Sequence, residues 1–464
     1  MKQDTQKPKN PQPNKKRSPS CLEQINQYAA GIDIGATFHF VAVPESCDQE
    51  PVREFKAFTA DLYAMADWLK QCGIKTVAME STGVYWIPLY EILESKGFEV
   101  KLVDARQLKN VSGRKSDVSD CQWIQRLHSY GLLNNAFRPA DEVCSLRAYV
   151  RQRNMLIQYA SAHIQHMQKA LTQMNIQLHH VISDITGETG IKIIRAILAG
   201  ERDPKVLAQF RDHRCRNSLE TIESALVGNY RAEHLFSLKQ ALELYNIYQE
   251  KIADCDKSIE NKLSQFDTHA ICLSPDKTPQ RSKKKSKVKN EAHFDLESQL
   301  IRLTGTNLIE IPGINTLTAL ALIGEIGLDM TRWKTAKHFA SWLGLSPNNK
   351  VSGGKRLSSK TKPSANRAAA ALRMAANSLL KSQTALGAFF RRIKARLGSP
   401  KAITATAHKL AKIIYHMLRY GVEYKEAGQS YYEEQYRGRL VKNLKRKAAE
   451  LGFTLIQKPQ EMTA

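Results

Sequence analysis

The chain has 464 residues, 42% of them hydrophobic, which is enough apolar material for about two to four folded units. Lys and Arg number 69 against 45 Asp and Glu, and the resulting net charge of +24 favours a polyanionic partner, with nucleic acid ahead of an anionic membrane. The longest apolar run, around Leu317 to Leu328, is short and interrupted by Glu325, which argues against a membrane span.

The N-terminus and the cysteines exclude further classes. The stretch "MKQDTQKPKNPQPNKKRSPS" lacks the apolar core of a signal peptide, so we expect a cytoplasmic protein. The eight cysteines are scattered, without a C-x-x-C pair or a Cys/His cluster, which disfavours zinc and disulfides.

The N-terminal part of the chain has an α/β pattern. Residues 1–28 are polar, basic and rich in proline, which predicts a disordered arm. Residues 29–138 alternate short apolar runs, such as "AGIDIG", "FHFVAV" and "KTVAME", with helical stretches. This order predicts a mixed α/β sheet.

Residues 139–267 have a helical period instead. Apolar residues from Val143 to Leu178 recur at alternating steps of three and four, with Arg153 as the only break, and a second such run extends from Leu238 to Ile259. These heptads predict a helical coiled-coil connector. They do not choose between a hairpin within one chain and a seam between subunits.

The rest of the chain is basic. Residues 268–298 predict a flexible basic insertion, residues 299–424 a mostly helical domain, and residues 425–464 a basic tail. Between Met330 and Val422 there are 19 Lys and Arg and no Asp or Glu. A solvated surface normally mixes both signs, so this domain is predicted to lie against a polyanion.

Four carboxylates have the pattern of a metal site. Asp33 and Glu80 stand near the ends of buried strands, where an unpaired carboxylate is costly. Asp117 and Asp120 share one face of a helix that Ser116 is expected to cap. Such an all-oxygen set suits Mg²⁺ or Mn²⁺, and two ions can clamp a scissile phosphate. Taken singly, each carboxylate also fits a cap, a turn or an ion pair.

The segment "DIGAT" also resembles the first phosphate loop of actin-like sugar kinases. A kinase needs a second glycine-rich phosphate loop and a catalytic aspartate. The one candidate loop, "VSGGK", lies in the acid-free domain, which disfavours this alternative.

Two C-terminal segments carry candidate contacts to nucleic acid. The segment "LIEIPGINTLTALALIGEIG" is similar to a helix-hairpin-helix, whose turn presents backbone amides to a phosphate. In "SPNNKVSGGKRLSSK", Ser352 stands before two glycines and two cations, as a phosphoryl-attacking nucleophile requires, although several nearby serines compete with it. The residues predicted to contact nucleic acid are Gly313, Asn315, Lys350, Gly353, Gly354, Lys355, Arg356, Lys360, Lys362 and Arg367.

The order of "GIDIG", "AMESTGVYW", "GRKSDVSDCQW", "IPGINTLTALALIGEIG", "FASWLGLSPNNKVSGGK" and "NRAAAALRMAA" resembles the DEDD transposases of insertion sequences, the group of Piv-type invertases and bridge-RNA-guided recombinases. The resemblance covers residues 29–424. It implies a RuvC-like (ribonuclease-H-like) catalytic domain, a coiled-coil connector and a C-terminal transposase domain.

The resemblance also implies site residues and partners. The tetrad that holds Mg²⁺ falls on Asp33, Glu80, Asp117 and Asp120, and the serine that links covalently to DNA falls on Ser352. By the same resemblance, carboxylates of one subunit would meet the serine of another in a dimer to tetramer. A noncoding guide RNA would pair with donor and target DNA.

Three functions remain open on the sequence. The first is a Mg²⁺-dependent recombinase that passes through a phosphoserine intermediate. The second is a RuvC-type nuclease or resolvase that uses water. The third is an inactive nucleic-acid-binding relative.

Overall fold

The computed structural model describes residues 23–104, 108, 117–267 and 289–456. The chain divides into two compact units, Met1–Arg138 and Pro139–Ala464. Ser116, the predicted cap, and most of the predicted insertion lie outside the described residues. No helix in the described ranges is long and apolar enough to span a membrane.

The first unit is built on a five-stranded mixed sheet in the order β3-β2-β1-β4-β5. Strands β1, β2 and β3 pair antiparallel, whereas β4 is parallel to both β1 and β5. The predicted mixed α/β architecture is confirmed and is compatible with a RuvC-like fold. The elements are β1 (Ala29–Ile34), β2 (Phe38–Ala42), β3 (Val52–Lys56), α1 (Thr59–Gln71), β4 (Thr76–Glu80), α2 (Trp86–Ser95), β5 (Glu99–Val103) and α3 (Asp117–Ser129).

The two faces of this sheet are covered by different helices. Ile32 and Met79 belong to the main core cluster, which also contains residues of α1 and α2. Ala78 lies on the opposite face and packs with Ile124 of α3. Because side chains alternate along a strand, each strand buries apolar groups on both faces, which explains the continuous apolar runs.

The C-terminal end of α3 is tied to the sheet by His128. Its Nε2 lies 2.9 Å from the hydroxyl of Thr76, and that hydroxyl donates its hydrogen to the carbonyl of Glu99 at 3.0 Å. The imidazole therefore donates through Nε2. Burial lowers the pKa of His128 to about 4, so the ring is neutral at physiological pH.

The described part of the first unit begins at residue 23, whereas the predicted disordered arm extends to residue 28. Asn26 donates its backbone N–H to the carbonyl of Ser129 at 2.9 Å and its side-chain amide to the carbonyl of His128 at 2.7 Å. The last residues of the predicted arm are thus fixed to the end of α3.

The second unit begins with an antiparallel helical hairpin. Its arms, α4 (Asp141–Gln173) and α9 (Ala232–Ser264), have 33 residues each. Leu156 and Ala160 pack against Ile252 in a cluster with Tyr248, so the two arms face each other within one chain, although the predicted coiled coil is not confirmed. Between the arms lie α5 (Leu178–Val181), α6 (Glu188–Leu198), α7 (Pro204–Ala208) and α8 (Leu219–Ala225).

Arg153, the break in the first seam, forms a buried ion pair with Asp256 of the second arm, and each residue is 1% exposed. Its guanidinium also donates to the carbonyl of Asn290 at 3.0 Å, while His293 contacts Asp256 at 2.7 Å. Asn290 and His293 lie in the C-terminal part of the predicted insertion, and these contacts anchor that part on the hairpin. Phe266, which precedes the predicted insertion, accepts a hydrogen bond from Arg302 at 3.0 Å.

The remaining part of the second unit is mostly helical, as predicted. Its helices are α10 (Leu296–Thr304), α11 (Thr316–Ile326), α12 (Ala336–Trp342), α13 (Arg367–Ser378), α14 (Ala385–Leu397), α15 (Ser399–Tyr420) and α16 (Gly428–Glu450), with a hairpin of β6 (Lys350–Ser352) and β7 (Lys355–Ser358). The predicted helix-hairpin-helix is not confirmed, because Leu308–Glu310 is a single 3-10 turn rather than an α-helix.

The hairpin arm α4 is clamped to α11 through Glu325. Arg151 binds this carboxylate with two hydrogen bonds of 2.8 Å, and Arg147 donates to the backbone carbonyls of Gly324 and Glu325 at 3.0 and 2.7 Å. The charge that interrupts the longest apolar run is thus a bidentate partner of the hairpin.

Candidate functional site

Asp33 and Glu80 occupy corresponding positions on adjacent parallel strands. Ile32 of β1 is paired with Met79 of β4. The residues that follow them, Asp33 and Glu80, are therefore neighbours on strands whose backbones lie about 4.8 Å apart. Both carboxylates are half-buried and lie near the carboxyl ends of their strands. They point to the side of the sheet that α3 covers, because Gly31 and Ala78 share their face.

Helix α3 approaches this face more closely than a side chain on β1 would allow. A Cβ atom added to Gly31 would lie 2.2 Å from the backbone nitrogen of Gln125 and 2.5 Å from the carbonyl oxygen of Cys121. The backbone of α3 therefore rests directly on β1. Asp117 is the first residue of this helix and exposed, and Asp120 stands in its first turn and is half-buried.

The pKa of the Cys121 thiol is affected by carboxylates of both β1 and α3. Burial, together with the negative charges of Asp33 and Asp120, raises its pKa to about 12. Carboxylates from β1 and from α3 thus act on the same buried atom. The predicted set is brought to one side of the sheet, with Asp33, Glu80 and Asp120 half-buried and Asp117 at the surface.

Ser352 lies in the second unit, at the tip of the β6–β7 hairpin. Gly353 and Gly354 form its two-residue turn with φ of +52° and +74°, the conformation that a type I′ turn requires of both central residues. Ser352 is exposed, and its hydroxyl has no hydrogen-bond partner among the described residues. The glycine-containing loop expected from the sequence is therefore a short antiparallel ribbon.

Two competing serines already have partners. The hydroxyl of Ser358 accepts the backbone N–H of Lys360 at 3.3 Å, and that of Ser364 accepts the N–H of Asn366 at 3.1 Å. Ser359 is exposed beside them. The structure thus separates serines that stabilise local turns from serines whose hydroxyls face solvent.

Gly313 and Asn315, predicted as nucleic-acid contacts, have structural roles. Asn315 caps α11 by accepting the N–H of Thr318 at 2.8 Å. Gly313 has φ of +88°, and a Cβ there would lie 2.7 Å from the carbonyl oxygen of Ala375 in α13. Both positions are accounted for by the turn that joins these helices.

The predicted cationic contacts are all at the surface. These cations belong to the segment from Met330 to Val422, whose 19 Lys and Arg have no Asp or Glu among them. The exposed predicted contacts are Lys350, Lys355, Arg356, Lys360, Lys362 and Arg367. Such a surface is complementary to a phosphodiester backbone.

Comparison with known families decides the identity. A DEDD transposase model of the IS110 group matches residues 30–176, and a model described as "Transposase IS116/IS110/IS902 family" matches residues 305–391. The two matches describe one kind of enzyme, and together they cover just over half of the chain. The chain belongs to the IS110-type DEDD transposases. No curated protein matches it.

The transposase acts on DNA, and its DEDD domain indicates the use of a divalent metal ion. The carboxylates fit a hard divalent cation in donor chemistry, since all are oxygen ligands on one side of the sheet. Within the described ranges, however, no three or more His, Cys, Asp or Glu side chains lie close enough together to hold one ion. The donors are thus gathered on one face without forming a closed coordination cluster.

The sequence analysis missed Gly31 as a determinant of this site. A glycine inside a strand pattern signals a close backbone approach, and "GIDIG" contains one two residues before Asp33. That signal is present in the sequence, but the partner that approaches, Gln125, is distant along the chain.

Proposed function

We propose that this transposase exchanges DNA strands through a covalent bond between Ser352 and a DNA phosphate. Asp33, Glu80, Asp117 and Asp120 would hold Mg²⁺ or Mn²⁺. The observation that carries the proposal is the position of Ser352: its hydroxyl is exposed at a glycine turn, in a segment with 19 cations and no acid.

The proposed reaction is a balanced transesterification. The oxygen of Ser352 forms a bond to phosphorus and loses its proton, while the bond from phosphorus to the leaving deoxyribose oxygen breaks and that oxygen takes up a proton. A deoxyribose hydroxyl of the other DNA then displaces Ser352. A bound divalent ion supplies charge neutralisation at the phosphate.

The residues proposed for catalysis belong to two different compact units, and this division supports an assembly of several subunits. The four carboxylates belong to the unit that ends at Arg138, and Ser352 belongs to the unit that begins at Pro139. We propose a homo-oligomer in which the carboxylates of one subunit serve the serine of another. The large cationic surface supports a noncoding guide RNA as a second nucleic-acid partner beside donor and target DNA.

The test is a denaturing gel of the protein with Mg²⁺, the flanking noncoding RNA and labelled donor and target DNA. Three variants accompany the wild type. Ser352→Ala is expected to abolish the labelled protein–DNA adduct. Ser359→Ala, which removes an exposed hydroxyl from the same segment, is expected to retain it. Asp33→Asn is expected to bind DNA without forming the adduct.

The other outcomes are equally informative. Cleaved DNA without an adduct, in both the wild type and Ser352→Ala, would assign the attack to water and contradict the serine mechanism. An adduct that forms equally well without the noncoding RNA would contradict the guide. Cleavage that survives Asp33→Asn would contradict the metal site.

A further inference from the structure

The β6–β7 hairpin places one cation directly beside Ser352. In the register of the hairpin, Ser352 is paired with Lys355, the two residues that flank the glycine turn. Directly paired residues of antiparallel strands project to the same face, with their Cβ atoms about 5 Å apart. The ammonium group of Lys355 is therefore within reach of any group that the Ser352 hydroxyl contacts.

The neighbouring cation lies on the other face. Arg356 is paired with Val351, and both project opposite to Ser352 because side chains alternate along each strand. An irregularity in the pairing between Lys350 and Val351 breaks the alternation, so the register gives Lys350 no defined face. Lys355 is thus the cation that the hairpin assigns to the side of the serine.

Nothing among the described residues neutralises Lys355. Its side chain is exposed and forms no salt bridge with the described residues. Along the sequence, the nearest acidic residues on either side are Asp329 and Glu423. Such a lysine does not stabilise the hairpin through an ion pair. Its charge is available to a polyanion that approaches the tip of the ribbon.

We propose that Lys355 is a catalytic residue that contacts a nonbridging oxygen of the phosphate attacked by Ser352. This inference rests on the proposed serine chemistry. As the serine oxygen bonds to phosphorus and the deoxyribose oxygen leaves, negative charge grows on the nonbridging oxygens. The ammonium group of Lys355 stabilises that charge and keeps its own proton throughout.

The experiment compares rates of adduct formation at saturating DNA, with Mg²⁺ and the noncoding RNA present. Lys355→Gln is expected to slow adduct formation by about 100-fold, the loss typical of one removed charge-stabilising donor. Lys355→Arg keeps the charge and is expected to remain within about 10-fold of the wild type. Lys205→Gln removes an exposed charge from α7, outside the acid-free segment, and is expected to leave the rate unchanged.

Arg356→Gln is the most closely matched comparison. It removes one charge from the next position, so it weakens DNA binding as Lys355→Gln does, but at saturating DNA we expect it to react at least about 10 times faster than Lys355→Gln. Equal rates for these two variants would overturn the assignment of Lys355. A wild-type protein that forms no adduct would instead overturn the serine chemistry itself, and the role of Lys355 with it.

Discussion

Gly31 lets α3 lie directly on the strand that carries Asp33. A methyl group at this position would meet the backbone of α3 at 2.2 Å, and a helix backbone cannot move aside as a flexible side chain does. We expect Gly31→Ala to destabilise the first unit by about 1–3 kcal/mol. We also expect it to abolish DNA cleavage while all four carboxylates remain.

Gly73→Ala provides a control for loss of stability alone. Gly73 follows α1, has φ of +68°, and has open space around its missing Cβ, so alanine there strains the backbone without moving α3. Thermal unfolding and cleavage are measured for both variants. If Gly31→Ala cleaves DNA as well as Gly73→Ala does, the close approach of α3 is not needed for the active site.

The sequence singles out individual residues where a charged side chain stands among apolar neighbours. Asp33 and Glu80 could be selected because carboxylates in apolar strands are costly. The role of Lys355 could not be separated from that of Arg356, because only the register of the hairpin places them on opposite faces. The burial that keeps His128 neutral likewise depends on residues distant in sequence, such as Thr76, whose hydroxyl lies 2.9 Å from its Nε2.

At the scale of elements, the hairpin of α4 and α9 buries the ion pair of Arg153 and Asp256 among its apolar contacts. Replacing Arg153 alone by Met leaves Asp256 buried without its main partner, which we expect to cost about 3–5 kcal/mol. The double replacement Arg153→Met with Asp256→Leu removes both charges, and we expect it to be close to neutral. Chemical denaturation measures all three free energies of unfolding.

An exposed pair serves as the control for this cycle. Lys192 and Glu188 form a salt bridge at 2.8 Å with both side chains more than half exposed, and neutralising either residue is expected to change stability by less than about 1 kcal/mol. A double variant at Arg153 and Asp256 that is as unstable as the single one would show that specific packing, rather than charge burial, sets the cost.

The heptads predicted the arms of the hairpin but not their partner. Both runs became helices, and each faces the other within one chain. Helix α4 ends at Gln173, so Met174 and Leu178 continue the period beyond the helix. The helix-hairpin-helix is not confirmed, since the residues before Pro312 form a 3-10 turn, and the composition of so short a segment does not distinguish this turn from an α-helix.

At the scale of the whole molecule, charge is distributed very unevenly along the chain. The 19 cations between Met330 and Val422 have no acidic residue among them, so DNA binding should release many counterions. With about 6–10 phosphate contacts, affinity is expected to fall by roughly 10³–10⁵-fold between 50 and 200 mM salt. Fluorescence anisotropy with labelled duplex DNA measures the slope.

Two single-charge variants locate the surface responsible. Lys362→Gln, within the acid-free segment, is expected to lower the slope by about one. Lys205→Gln, an exposed lysine of the short helices at the end of the hairpin, is expected to leave it unchanged. Equal slopes for both variants would mean that binding reflects net charge rather than this surface.

Composition was sufficient to predict a nucleic-acid partner, because net charge needs no knowledge of the fold. Composition says nothing about the proposed meeting of the carboxylates with Ser352, since these residues belong to different compact units. In that proposal the pairing depends on assembly between subunits, and the information for assembly is spread over surfaces rather than contained in a motif.

Two arginine anchors bracket residues 268–288, the larger part of the predicted insertion. Arg302 holds the carbonyl of Phe266, before these residues, and Arg153 holds that of Asn290, after them. Loop-closure entropy grows slowly with length, so doubling the number of residues between two fastened points costs only about 0.6 kcal/mol. We therefore expect the fold to depend on the two arginines and to tolerate changes in the number of residues between Phe266 and Asn290.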